Sequence, residues 1–217
     1  MIENRINETK QKLIEFSLLV ENMIAESIDG LLKKNASILK KIIEGDEAIA
    51  NKLEIEIEEM CIEIIAQYSP KASYLRTTLM ILKINNDLER IGDHAVNIAQ
   101  SALFLIERPD VKPLIDTPRM AEEAAGMLKN SLKSFINQDA ELAKSVCRRD
   151  EIVDRLRDQI ARELITYMIS DPSTIERSLQ LLRISQNLER IADLSTNISE
   201  DVVFMVEGKI IKHHSTE

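Results

Sequence analysis

Tryptophan is absent from this 217-residue chain and aromatic residues make up only 3% of it. An aromatic-lined pocket of the kind that holds most small molecules therefore has little to be built from. Five glycines and five prolines are spread over the whole length, too few turn signals for a many-stranded β architecture. The two cysteines, Cys61 and Cys147, lie far apart without CxxC spacing and read as buried, reduced thiols of a cytosolic protein. No run approaches the ~18 apolar residues of a membrane span, and the opening MIENRINETKQKLIEF lacks the apolar heart of a secretory leader. Long basic clusters are missing too. At a net charge of −9 the chain should be repelled by nucleic acid and anionic lipid alike, which points to neither as a partner. GxxxxGK(S/T) and GxGxxG are absent, and no nucleophile, base and orienter set is exposed.

What remains is helical. Apolar residues are 44% and charged residues 30% of the chain, and leucine, glutamate, lysine, arginine and alanine, all strong helix formers, are abundant. Breakers divide it into six predicted segments. The first runs from Ile6 to Glu44 and ends near Gly45. The second starts at Asp46, a good N-cap, and runs to Tyr68; the third spans Lys71 to Glu107. Arg108 to Pro118 holds three of the five prolines and reads as the linker. Then come Met120 to Val146, Arg149 to Ser170 and Pro172 to Glu207, with Gly208 as C-cap and a polar tail.

The two halves repeat. LKINNDLERIGDHAVNIAQ, from Leu82, and LRISQNLERIADLSTNISE, from Leu182, share nine of nineteen positions at an offset of 100. Upstream, Glu47-xxx-Asn51-Lys52-Leu53 pairs with Asp150-xxx-Asp154-Arg155-Leu156. The expected architecture is all-α, two tandem pseudo-symmetric three-helix bundles covering 1–108 and 109–217. Apolar stripes on both sides of the long helices allow a homodimer.

Within the repeat, Glu89 with Asp93 and Glu189 with Asp193 are acidic pairs one turn apart, about 6 Å, on one helix face. Segments two and three should fold back on each other at Pro70, putting Asn51 level with Glu89 and Glu47 level with Asp93. At Asp171-Pro172 the same fold-back levels Asp154 with Glu189 and Asp150 with Asp193. Like charges facing each other across a helix seam call for a cation, and hard oxygen ligands suit Mg, Mn, Fe or Zn. Arg90 and Arg190 offer a competing way to neutralise the acids. With four full carboxylates the second seam should be the stronger, because Asn51 replaces an acid in the first. Asn97 and Asn197, a turn beyond the acids, could orient them. His94 has no counterpart in the repeat, since Leu194 stands there, and so reads as a surface or supporting residue. His213 and His214 lie in the tail.

At Leu88-Glu89-Arg90-Ile91-Gly92-Asp93-His94 and Leu188-Glu189-Arg190-Ile191-Ala192-Asp193, each preceded by its shorter acidic partner, the chain resembles the PhoU family of phosphate-uptake regulators. The resemblance runs from about Ile6 to Gly208. It implies divalent or trivalent metal ions, iron foremost, held as multinuclear clusters on the acidic motifs. It further implies a cytoplasmic, non-enzymatic negative regulator of the phosphate regulon, peripheral to the inner membrane through its partners. Those partners would be the ATPase subunit of the phosphate ABC transporter and a sensor histidine kinase. Two other classes stay open: a carboxylate-bridged di-metal helical-bundle enzyme and a metal-free helical scaffold. The enzyme normally needs Glu-x-x-His, and no glutamate here has a histidine three residues on.

Overall fold

Leu13, Phe16, Val20 and Ile24 recur at the three- and four-residue spacing that keeps one helix face inward, and all four are buried. They belong to α1, Ile2–Leu32, in a computed structural model that describes residues 2–208. After it come α2 (Ala36–Lys41), a π turn (Ile42–Asp46), α3 (Glu47–Tyr68) and α4 (Ser73–Ile106). The second half holds α5 (Asp116–Asn137), α6 (Ala140–Ser170), a 3-10 turn (Pro172–Thr174) and α7 (Ile175–Glu207). Helices α1, α3 and α4 pack together, as do α5, α6 and α7. The chain is all-α, as read from the sequence. Gly208 caps α7 in the left-handed region, at φ 70°; His213 and His214 lie outside the described residues.

The first turn of each half is not where the breakers put it. The expected helix over 6–44 stops at Leu32. Lys34 takes φ 50°, and Asn35 accepts hydrogen bonds from the backbone N–H of Ser37 and Ile38. Likewise the expected break near Cys147 does not exist. Gln138 takes φ 53°, Asp139 caps Leu142 N–H, and α6 runs unbroken for 31 residues. Both turns use a non-glycine left-handed residue followed by an Asn or Asp cap, a signal weaker than glycine or proline. Asp46, expected to cap α3, has helical dihedrals and no capping bond; α2, the π turn and α3 are one continuous helix. Asp46 is buried and paired with Lys41 at 3.1 Å.

The π turn has a simple origin. From cap to paired motif residue, Asn35 to Asn51 is sixteen residues, whereas Asp139 to Asp154 is fifteen. A turn closed by i→i+5 bonds holds one extra residue, so the bulge absorbs the insertion and returns α3 to phase. A close approach also constrains α1: a Cβ on Gly30 would lie 2.6 Å from Leu39 Cδ2.

The two units share one core. Ile84, Leu88, Ile91, Ala95 and Ile98 of α4 and Ile184, Leu188, Ile191 and Ile198 of α7 belong to a single buried cluster. Helix α4 packs on α7 and α1 on α5. Ion pairs and hydrogen bonds cross the contact: Lys83 Nζ to Asp201 at 3.0 Å, and His94 Nδ1 to Asn187 Oδ1 at 2.8 Å. The linker is fastened to the second unit by Lys112 on Glu163 and by Arg177 on the Pro109 carbonyl.

Candidate metal centre

Glu89 and Asp93 lie one turn apart on the partly exposed side of α4, beside the stripe of Leu75, Leu79 and Leu82. That stripe is less enclosed than its leucines suggest, since Leu79 is 47% exposed and its counterpart Leu179 50%. In the first seam, burial pushes the Glu89 carboxyl up, and the charges of Asp93 and Glu54 add to it; Arg90 opposes them. The contribution from α3 thus comes from Glu54, which the level-matching argument overlooked. Asn51 is exposed and Glu47 half-buried. Glu54 is itself pushed up by burial and by Glu58. A signal was there to be read: 47, 51, 54 and 58 form one stripe of a helix. Asn85 ties α4 to this stretch, its Nδ2 donating to the Glu54 carbonyl at 2.9 Å, while its buried Oδ1 has no partner.

The second seam is built differently. Glu189 and Asp193 sit on α7, and Asp154 on α6 acts on both of them. Burial raises each carboxyl. Against that stands Arg157, one turn beyond Asp154, whose Nη1 donates to Glu189 Oε1 at 2.9 Å. Arg190 pairs more loosely with Asp193, at 3.5 Å. Asp150 acts on the thiol of Cys147, which burial chiefly pushes up to about 11. His94 reaches this seam from the other unit and pulls the Asp193 carboxyl down. Its absence from the repeat is therefore no guide to its surroundings, because α4 and α7 cross.

Both cysteines are free, Cys61 buried and Cys147 half-buried. Ala192 in place of Gly92 is sterically neutral: a Cβ on Gly92 would meet only Val20 Cγ2, at 3.8 Å. Beside Lys83 and Asp201, burial pushes Asp87 up to about 6, with Asp201 adding and Arg90 and Lys83 opposing. Among the described residues no three His, Cys, Asp or Glu side chains converge as a ligand group. The donors, carboxylates apart from the Asn51 amide, fit a hard cation in kind. They fit the first seam better, where acids predominate, than the second, where a guanidinium already sits on Glu189.

The PhoU domain profile matches residues 13–102 and again 117–202. The phosphate-specific transport system accessory protein PhoU homolog of Aquifex aeolicus is 41% identical over 208 residues, covering 96% of this chain and 94% of that protein. PhoU homolog 2 of Thermotoga maritima is 35% identical and covers 100% and 92%. Among solved structures, PhoU from Pseudomonas aeruginosa superposes with a TM-score of 0.91 at 32% identity, over 96% of this chain and 100% of that one. PhoU from Streptococcus pneumoniae gives 0.88 at 26%, over 98% and 100%. With the profile matching both halves and relatives aligned along nearly its whole length, the chain belongs to the PhoU family.

Proposed function

We propose that this PhoU-type phosphate transport accessory protein is a negative regulator of phosphate uptake and of the phosphate regulon. It acts through contacts with the transporter's ATPase subunit and a sensor histidine kinase. It works in the cytoplasm, at the inner membrane only through those partners, and no described helix is long and apolar enough to cross a membrane. The relatives' descriptions as transport-system accessory proteins support this reading, and no catalytic step belongs to it.

The same proposal assigns cation binding to the acidic seams, and chiefly to the first. The observation that carries it is the carboxylate set of Glu54, Glu89 and Asp93, raised by burial and mutual repulsion at Glu89 with only Arg90 opposing. To hold the ion, Glu89, Asp93 and Glu54 would have to draw together from the positions they occupy here, where no three carboxylates converge, with Glu47 and Asn51 at the margin. In the second seam Glu189, Asp193, Asp154 and Asp150 would share theirs with Arg157. A bound iron, zinc, manganese or magnesium ion supplies positive charge where two helices present like charge. The protein's own contribution is to keep α3 and α4 level, through Asn85 on the Glu54 carbonyl.

The test is metal analysis of protein purified without an affinity tag. Glu89→Ala/Asp93→Ala should lose most bound metal and Glu189→Ala/Asp193→Ala much less, with helical circular dichroism kept in both. Equal and full retention in both would leave the metal-free scaffold, which Arg157 favours. Function is read by a phosphate-regulon reporter in phosphate-rich medium, which removal of the chain should derepress.

A further inference from the structure

A surface groove of about 900 Å³ runs between α1 and α3, away from the residues of the seams. Its floor is apolar: Ile14, Leu18 and Met60. Leu18 is 54% exposed although it sits mid-helix among core-facing neighbours. Both cations on the rim are already engaged. Arg5 bonds Glu8 at 2.9 Å and Glu63 at 2.7 Å, and Lys12 lies 3.5 Å from Glu15 and 3.2 Å from Glu56. Glu59 has no ion-pair partner among the described residues. Five glutamates against two cations leave the groove with a net charge of −3. Beyond Glu59 the outer face of α3 continues with Ile55 and Ile62, each more than half exposed.

The acidity is particular to this half. In the repeat, the places of Glu56, Glu59 and Glu63 are taken by Gln159, Arg162 and Thr166. A charge row of this kind is not needed to hold the bundle, since the equivalent helix folds without it. We infer that the α1–α3 groove is a docking site for a basic amphipathic helix of a partner protein, its apolar side on Ile14, Leu18 and Met60 and its lysines or arginines against the glutamate rim. An apolar floor flanked by one sign of charge is the arrangement that receives such helices, and the complementary charge selects the partner and speeds its approach. An acidic rim excludes anionic lipid. The inference rests on the reading that this protein works through protein contacts, and is independent of the metal assignment.

The probe is a fluorescein-labelled, 18-residue helical peptide of leucine and lysine, with a leucine–glutamate peptide as its control, titrated into the full chain by anisotropy. The lysine peptide should bind saturably at one per chain, and the glutamate peptide should not. Glu15→Lys/Glu59→Lys should weaken binding at least tenfold. Glu122→Lys/Glu176→Lys, the same charge change on other exposed faces, should alter it less than threefold. Leu18→Asp separates docking from general attraction. It makes the chain more acidic, so unspecific attraction would strengthen binding, whereas a groove would lose at least tenfold. Equal weakening by both charge reversals, or unchanged or tighter binding to the Leu18 variant, overturns the proposal. So does a dimer, seen by sedimentation, that Glu15→Lys/Glu59→Lys dissociates, because a second copy would then fill the groove. Bound metal should be the same in every groove variant, so loss of peptide binding and loss of the metal seam are read separately.

Discussion

Glu54 and Arg157 hold the same place in the two halves of the molecule, 103 residues apart. Each lies one helical turn beyond the paired motif residue, Asn51 or Asp154, and each acts on the glutamate of the facing helix. Glu54 raises Glu89, while Arg157 donates to Glu189 at 2.9 Å. Two copies of one seam have thus been given opposite electrostatics, one short of positive charge and one carrying its own.

The exchange of sign can be tested directly. Glu54→Arg should reduce bound metal to what the second seam holds and raise the melting temperature of chelator-treated protein. Arg157→Ala should leave Glu189 half-buried without its partner and cost about 1 kcal/mol, allowing for solvent at the arginine. Urea denaturation with and without EDTA measures both, and the added metal should restore more stability to the Arg157 variant than to the Glu54 variant.

Two caps hold the first turns. Asn35→Ala and Asp139→Ala should each cost about 1 kcal/mol, the usual loss of an N-cap acceptor, because each accepts backbone N–H bonds at the start of its helix. Chemical denaturation of the single variants gives the two values, and their sum should describe the double variant, the sites being far apart.

Gly30 is required for space. Alanine is the better helix former by up to ~1 kcal/mol, yet its Cβ would meet the buried Leu39 side chain at 2.6 Å. Overpacking of this kind costs about 1–3 kcal/mol, so Gly30→Ala should destabilise. Gly30→Ala/Leu39→Ala should not show the added clash, a difference a double-mutant cycle reads.

Deleting Gly45 should turn the π turn into an ordinary α turn and leave the phase of α3 intact. Cooperative thermal unfolding should persist. Deleting Glu58, exposed in the regular part of α3, has no bulge to absorb it and would rotate the buried Cys61 and Ile64 that follow by about 100°. That protein should melt far lower by circular dichroism.

The linker should respond to acid. Lys112, buried, holds the Glu163 carboxyl below its ordinary value. A depressed carboxyl contributes stability above its unfolded pKa of 4.5 and loses it as pH falls through the lower, folded value. Glu163 is partly solvated, so the contribution is small. Pepsin should cut between residues 107 and 115 faster in Glu163→Gln than in the parent at pH 5, and the two should converge as the pH is lowered further and the Glu163 carboxyl takes up its proton.

The residues that declare themselves in sequence are those that are repeated. Glu89, Asp93, Glu189 and Asp193 stood out because the motif occurs twice, and α4 and α7 were legible almost from end to end because their apolar periodicity is bounded by Pro70 and Pro109 in one and by Pro172 and Gly208 in the other. The turns at Lys34 and Gln138 were not, because a left-handed lysine or glutamine leaves no compositional mark. Gly45 and Asp46 misled for the opposite reason: a glycine beside a good capping residue is a strong stop signal, here overridden by the continuity of the helix. Arg157 escaped notice because pairing by level compares acids with acids. Only the side-chain geometry shows that a neighbour one turn away donates to Glu189.

A core that passes without interruption from α4 into α7 has a bearing on how such a molecule can change over time. Neither half stands alone, so the chain should melt as one body and a cut at the linker should strand two sticky fragments. Yet because the fold is underwritten by buried residues common to both halves, either surface seam can drift in charge without endangering the whole. Redundancy in the interior is what leaves the exterior free to specialise.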